Sequence, residues 1–242
     1  MPPVGPSRNL LLALLPEENL RELRPALEFC RLPLGTSVYE SGARQGFVHF
    51  MTRGIVSLLY VLEDGASAEI AVVGREGLVG ISLFMGGEST PSRAVVQCAG
   101  DGYRVRAGTF KARFEADHDL QHLLLRYTQA LITQMAQTAV CNRHHSVDQQ
   151  LCRWLLLSLD RLETSEVAMT QELIANMLGV RREGVTAAAG KLQAAGLIDY
   201  SRGHIQVRDR KGLEARVCEC YAVVKAEYDR LLGPAAISRS AA

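Results

Sequence analysis

Residues 169–200 read MTQELIANMLGVRREGVTAAAGKLQAAGLIDY and hold the side chains whose spacing constrains function most. Arg182, Thr186, Gly190 and Gln193 recur at steps of 4, 4 and 3, which places them on one helical face. Arg181 and Glu183 flank the start of that helix. An Arg can clamp two guanine acceptors, and a Glu can accept from cytosine N4, so this face has the chemistry to read base edges. A Glu there would otherwise repel phosphate, which makes Arg-Arg-Glu at a helix start more informative than Arg-Arg alone. The competing reading is a helical hairpin with a solvated, charged end.

The elements around this face predict a helix-turn-helix. Thr170 can cap a first helix over Gln171–Met177 and, with Gln171, joins the candidate DNA contacts. Leu173, Ile174, Met177 and Leu178 are its expected inward positions, and Gly179 breaks it. A second helix from about Arg181 to Ala195 turns Val185, Ala188, Ala189 and Leu192 inward, at i, i+3, i+4 and i+7. Leu197–Tyr200, Ser201-Arg202-Gly203 and His204–Val207 then read strand, tight turn, strand: a wing, with Arg202, His204 and Arg208 towards phosphates. Gly184, inside the second helix, is expected to let backbone approach DNA closely.

The whole-chain balance hides the local charge. The 242 residues carry 27 basic and 26 acidic side chains, for a net charge of +1. Between Gly179 and Lys211, however, 7 basic residues face 3 acidic ones, a local patch suited to a phosphate backbone.

Upstream the texture is different. Residues 1–9 are Pro- and Gly-rich and read as loose, and 16–30 read as short helices interrupted by Pro25. From Cys30 to Thr109 glycines separate short apolar runs: Ser37–Tyr39, Phe47–Met51, Gly54–Leu62, Ser67–Val73, Ala94–Cys98 and Tyr103–Arg106. Glu63-Asp64-Gly65 supplies a hairpin turn. The pattern predicts an antiparallel β-roll or jelly-roll barrel. Ala116–Asn142 contains no glycine and repeats apolar residues at Leu120, Leu124, Tyr127, Leu131 and Met135, close to a heptad. That stripe suits packing on its own barrel or a dimer seam. A further helix, Ser146–Leu162, has Ser146 as N-cap and Leu151, Trp154, Leu155 and Leu159 as its apolar face. The fold class is therefore α+β, with a sensor barrel and N-terminal helices over 1–115, a dimerisation helix over 116–142, a winged helix-turn-helix over 143–225 and a tail over 226–242.

Other chemistries find little support. Apolar residues are 48% and charged residues 22% of the chain, a globular composition. No apolar run approaches the ~20 residues of a membrane span, and Leu10–Leu15 is followed by Pro16-Glu17-Glu18 rather than a cleavage site. The six cysteines, at 30, 98, 141, 152, 218 and 220, show no paired Cys-x-x-Cys spacing, so no metal site is expected and reduced thiols in a cytoplasm are. Cys218 and Cys220 are expected to point apart on one helix. His118 and His122 stand at i, i+4 without a third ligand in register, and His144 and His145 fall at the hinge. The barrel region has one His and no His-x-His, and no nucleophile elbow, Ser/His/Asp set or phosphate loop is present. The protein is not expected to be an enzyme.

The order barrel, long helix, short helix, winged helix-turn-helix resembles the Crp/Fnr family of bacterial transcription regulators over residues 20–225, most closely in Leu178–Leu192. Phe47–Leu59 (FVHFMTRGIVSLL), Val73–Gly80 (VGREGLVG), Ala139–His145 (AVCNRHH) and Cys218–Tyr221 (CECY) also match a subgroup of uncharacterised regulators. The resemblance implies a homodimer across the long helix, double-stranded DNA as partner with reading helices about 34 Å apart on a near-palindromic site, and contact with RNA polymerase. It maps the family's base-reading Arg-Glu pair onto Arg182 and Glu183. A further Arg common four positions on is replaced by Ala187. It also implies a sensor, with effector positions Gly80, Ile81, Arg93, Ala94 and Tyr127. Arg93 stands at the phosphate clamp of cyclic-nucleotide-binding members. Ile81 replaces the Glu that holds the ribose, and Ala94 replaces a hydroxyl, so a cAMP-type effector is disfavoured. Another anionic or apolar effector, or none, remains open. The first 29 residues hold no Cys, against an iron–sulfur cluster. The alternative is a ligand- or partner-binding module whose helix-turn-helix serves protein contacts.

Overall fold

The apolar runs do fold as one antiparallel sheet, but with longer strands than the glycines suggest. The computed structural model describes residues 4–233. Strands β1 (Glu28–Leu32), β2 (Ser37–Tyr39), β3 (Phe47–Val61), β4 (Ser67–Val73), β5 (Leu78–Val79) and β6 (Arg93–Arg106) form one sheet. Its path is β1-β6-β3-β4, with β2 added on β6 and β5 on β3. Phe47–Met51 and residues 54–61 are one strand, and so are Ala94–Cys98 and Tyr103–Arg106. The intervening glycines bend these strands without breaking them. The β3–β6 register slips on both sides of Arg53. Gly54 has φ +80°, and a Cβ there would lie 2.5 Å from the Cys98 carbonyl oxygen. Two backbones pass too closely for side chains, the usual setting of a bulge glycine.

Two N-terminal expectations fail. Residues 28–32 pair with Gly100–Arg104 as β1 rather than continuing a helix. The helices α1 (Leu10–Leu14) and α2 (Glu17–Leu23) end at a 3-10 turn holding Pro25. Of the segment expected to be loose, residues 1–3 lie outside the described residues and the part next to α1 is anchored. Asn9 is fully buried, donates to the Met51 and Gly77 carbonyls at 2.8 Å each, and accepts from Leu12 N at 3.1 Å as the α1 cap.

Helix α3 (Ala107–Ala116) stops at Asp117, which caps α4 (His118–His144) by accepting from Leu120 N. The 27 residues of α4 span about 40 Å. The expected dimer stripe is already used within the chain. Leu120, Leu124, Tyr127 and Leu131 are buried in the barrel core with Phe50 and Phe110, and Met135 is half-buried against it. The apolar residues that α4 exposes are Leu125, Ile132 and Val140.

Ser146 and Gln149 form a capping box at the start of α5 (Val147–Arg161). Then come β7 (Glu166–Ala168), α6 (Gln171–Leu178), α7 (Arg182–Ala194), β8 (Ile198–Ser201), β9 (His204–Val207), α8 (Arg210–Arg216) and α9 (Glu219–Leu232). Strands β7, β9 and β8 make a second antiparallel sheet. The core of this half, built on Trp154, Ile174, Leu192 and Ile205, also takes in Ile55, Leu59 and Val72 of the barrel. A buried ion pair ties the halves together: Arg161 Nε to Glu76 Oε1 at 2.7 Å. The expected tail from 226 is partly α9, whose Tyr228 packs on α4 and whose Leu232 is buried; residues 234–242 lie outside the described residues.

Candidate nucleic-acid interface and sensor positions

The second helix of the hairpin divides as its spacing predicts. Val185, Ala188, Ala189 and Leu192 of α7 are buried, while Arg181, Arg182, Glu183, Thr186, Gly190 and Gln193 are exposed. Thr170 caps α6 by accepting from Leu173 N at 3.3 Å, and Gly179 closes it in the left-handed region at φ +65°. That φ lets the chain turn at once into Arg181, the N-cap of α7. Within α6 the inward set is Ile174, Ala175, Met177 and Leu178. Leu173 is 43% exposed and lies outside the stripe that this short helix buries.

Hydrogen bonds sort the candidate contacts into held and available groups. Thr186 Oγ1 donates to Gln171 Oε1 at 2.7 Å and to the Arg182 carbonyl at 3.0 Å, linking the two helices. Gln193 Oε1 accepts from Tyr200 N at 3.0 Å and so braces the wing. His204 Nδ1 meets Glu166 Oε1 at 2.6 Å, and Arg208 meets Asp199 at 2.6 Å, so both are engaged within the chain. Arg202 sits at the wing tip, where Arg202 and Gly203 both have positive φ, +50° and +80°. This makes a two-residue turn of the kind that matches strand twist. Gly184 does not face outward: a Cβ there would touch Val147 of α5 at 3.8 Å, whereas one on Gly190 would meet nothing within 4 Å.

The sensor positions do not converge on an open site. Arg93 pairs with Glu40 at 2.9 Å. Ala94 is fully buried, paired with Leu58 and Tyr39 across the sheet. Gly80, at φ +113°, precedes a short 3-10 turn that begins at Ile81. Tyr127 is buried under Gly77 and donates to the Leu78 carbonyl at 2.9 Å; burial drives its pKa well above the ordinary value. A cavity of about 390 Å³ opens elsewhere, between α1, α5 and α9, lined by Leu14, Glu76, Asp160, Arg161 and Tyr228.

The sequence reading missed one constellation. Cys218 and Cys220 do not diverge, because Cys218 is the α9 N-cap with extended backbone, φ −73° and ψ 163°, and only Cys220 is helical. Both turn towards Cys141 and His145 at the far end of α4. The visible signal was the pairing of CNRHH with CECY, 73 residues apart at its nearest ends. Local spacing rules cannot see such a pairing.

Residues 149–216 match the model of the Crp-like helix-turn-helix domain. Among solved structures the chain is similar to FixK2 from Bradyrhizobium japonicum, with 17% identity, a TM-score of 0.69, and 79% of this chain covering 98% of that one. A regulator from Eubacterium rectale assigned to the Crp/Fnr family gives 19% identity, a TM-score of 0.66 and coverages of 85% and 96%. CLP from Xanthomonas campestris, a c-di-GMP-responsive global regulator, gives 15%, 0.63, 80% and 100%. No curated protein sequence matches. Residues 149–216 are thus similar to the Crp-like helix-turn-helix domain, in a chain whose fold is that of the solved Crp/Fnr structures.

Proposed function

We propose that the protein is a sequence-specific, DNA-binding transcription regulator of the Crp/Fnr type, acting in the cytoplasm as a homodimer on a near-palindromic site. The observation that carries this reading is the outward face of α7: Arg181, Arg182 and Glu183 are exposed at the N-terminal end of a helix whose opposite face is packed into the core. Arg182 and Glu183 read bases, Arg181 and Arg202 contact phosphates, and Thr170, Gln171, Thr186, Gln193 and His204 hold the reading elements in place. The dimer forms along the exposed α4 stripe of Leu125, Ile132 and Val140, one face round from the stripe that the sequence favoured. RNA polymerase is the downstream partner.

The effector is not a cAMP-type nucleotide bound in the usual cassette. Its phosphate clamp, Arg93, has a carboxylate partner already, and Ile81 offers the ribose no acceptor. CLP responds to c-di-GMP, so a second nucleotide class belongs in the test. The experiment is selection of bound duplexes from a random pool with no effector, with cAMP and with c-di-GMP. A two-fold-symmetric motif with half-sites about one turn apart, present in all arms, is the expected outcome. A motif that requires cAMP would overturn the effector reading. Retention of a protein partner by a helix-turn-helix that selects no duplex in any arm would favour the protein-contact alternative.

A further inference from the structure

Four ligand-capable side chains from distant parts of the chain meet where α4 ends and α9 begins. Cys141 lies in the last turn of α4 and His145 is its C-cap; Cys218 caps α9 and Cys220 is its second residue. Their sulfur and ring-nitrogen atoms all lie within 4.8 Å of one another. Cys141 Sγ is 3.6 Å from Cys218 Sγ, and Cys220 Sγ is 3.6 Å from His145 Nδ1. A tetrahedral ion with bonds of about 2.3 Å to sulfur and 2.0–2.1 Å to nitrogen sets an S–S edge of about 3.8 Å and an S–N edge of about 3.5 Å. Both separations are close to these edges. They are the span of a single ion.

Two surrounding contacts fit the same occupant. The other ring nitrogen of His145, Nε2, faces Glu219 Oε2 at 3.4 Å, so a carboxylate orients the imidazole with Nδ1 towards the sulfurs. Metal-bound histidines are held in this way. Arg153, 4% exposed, lies beside Cys141 and donates to Thr138 Oγ1 at 3.1 Å, while its Nε has no partner. A divalent ion with three thiolates and a neutral imidazole carries one net negative charge, which a buried guanidinium offsets. The three cysteines also form a small buried cluster of their own, apart from both main cores.

We propose that Cys141, His145, Cys218 and Cys220 form a mononuclear Cys3His site for a thiophilic divalent cation, zinc foremost, that pins the end of α4 to the start of α9. Thiolate and imidazole together select zinc over hard cations, and four protein ligands leave no open position, the mark of a structural site. On binding, each thiol releases its proton to solvent as its sulfur–metal bond forms, and no electron moves. Helix α5 begins at Val147, two residues after the His145 ligand. The ion would therefore fix the joint between the long helix and the helix-turn-helix unit, so occupancy of the site bears on how the two are held.

The test uses the full chain, purified without chelator and freed of any affinity tag, and needs no DNA, so it stands apart from the reader assignment. Elemental analysis should find about one zinc per chain, and exchange into cobalt should give the intense visible bands of tetrahedral Co2+ with thiolate charge transfer. Glu219→Gln keeps every ligand and changes an exposed side chain; it should weaken zinc binding by about 10–100-fold while the fold, followed by circular dichroism, is retained. Cys220→Ser should abolish the cobalt bands, and Cys30→Ser, in β1, should leave them intact. Wild-type protein that is folded yet binds neither zinc nor cobalt would overturn the proposal. So would a Cys141–Cys218 disulfide in the metal-free protein that persists under reducing conditions.

Discussion

On α7, Arg181, Arg182 and Glu183 stand exposed and Thr186 merely ties the hairpin together. At the expected effector positions, Arg93 is held by Glu40, Ala94 is sealed in the sheet, and Tyr127 of α4 spends its hydroxyl on a backbone carbonyl. One half of the chain keeps its recognition chemistry available, and the other consumes the corresponding positions in its own structure. The two regions of one fold thus differ in what they leave open: charged side chains stand exposed at the start of α7, whereas Arg93, Ala94 and Tyr127 are already paired or buried.

The strongest way to break that contrast is Arg182→Ala. If Arg182 reads a base, each half-site loses about 1–3 kcal/mol, or roughly 5–150-fold, and a dimer loses it twice. Binding to a selected duplex should collapse towards the non-specific level, with a nearly unchanged salt dependence. Arg202→Ala should instead weaken all sequences alike and flatten the salt slope by about one unit per contact. If Arg182→Ala binds the selected motif as wild type does, the reader assignment goes with it.

Next in size is the joint between the halves. Glu76→Gln leaves the buried Arg161 without its counter-charge, and breaking one side of a buried pair costs about 3–5 kcal/mol. Urea unfolding should show a loss of unfolding free energy of that order. A shift below about 1 kcal/mol, the level of an exposed pair, would mean that Arg161 finds another partner and that the halves are less firmly joined than the geometry indicates.

A third test addresses a carboxylate at the seam between the halves. Glu69 of β4 is buried, accepts from Ser57 Oγ at 2.5 Å, and has its pKa raised by burial from 4.5 to about 7. The folded state therefore holds the proton more tightly than the unfolded chain. The stability this contributes is fully present below pH 4.5 and is lost as pH rises through about 7, a swing of about 3 kcal/mol at most. Glu69→Gln should flatten the pH profile across that window. An unchanged profile would show that water reaches the carboxylate.

How much of this was legible in the sequence depends on how local each cause is. The helix-turn-helix could be read because its determinants lie within 23 consecutive residues: the Thr170 cap, the Gly179 break and the Val185–Leu192 stripe. The antiparallel class could be read, but not where each strand begins and ends, because Gly54 and Gly100 look like turns until their partner strand shows them to be bulges. The α4 stripe was found but its neighbour was left between the barrel and a dimer seam, since periodicity shows that a face is buried and not what buries it. The Cys141, His145, Cys218 and Cys220 cluster was invisible because it depends on how α9 returns to α4, a contact that spacing does not encode.

The smallest effect separates two glycines of the same helix. Gly184 and Gly190 each cost α7 up to about 1 kcal/mol relative to Ala. Gly184 faces Val147 and an added methyl would make ordinary contact there, so its replacement should stabilise the fold and leave DNA affinity unchanged. Gly190 lies on the outward face in line with Arg182 and Thr186, with open space where a Cβ would sit. Gly190→Ala should raise the melting temperature by a similar few degrees. If DNA packs against this face, the same change should weaken binding, so that stability and affinity move in opposite directions. Parallel gains in stability at both positions, with affinity unchanged at both, would confine the contact surface to the first turn of α7, around Arg181, Arg182 and Glu183.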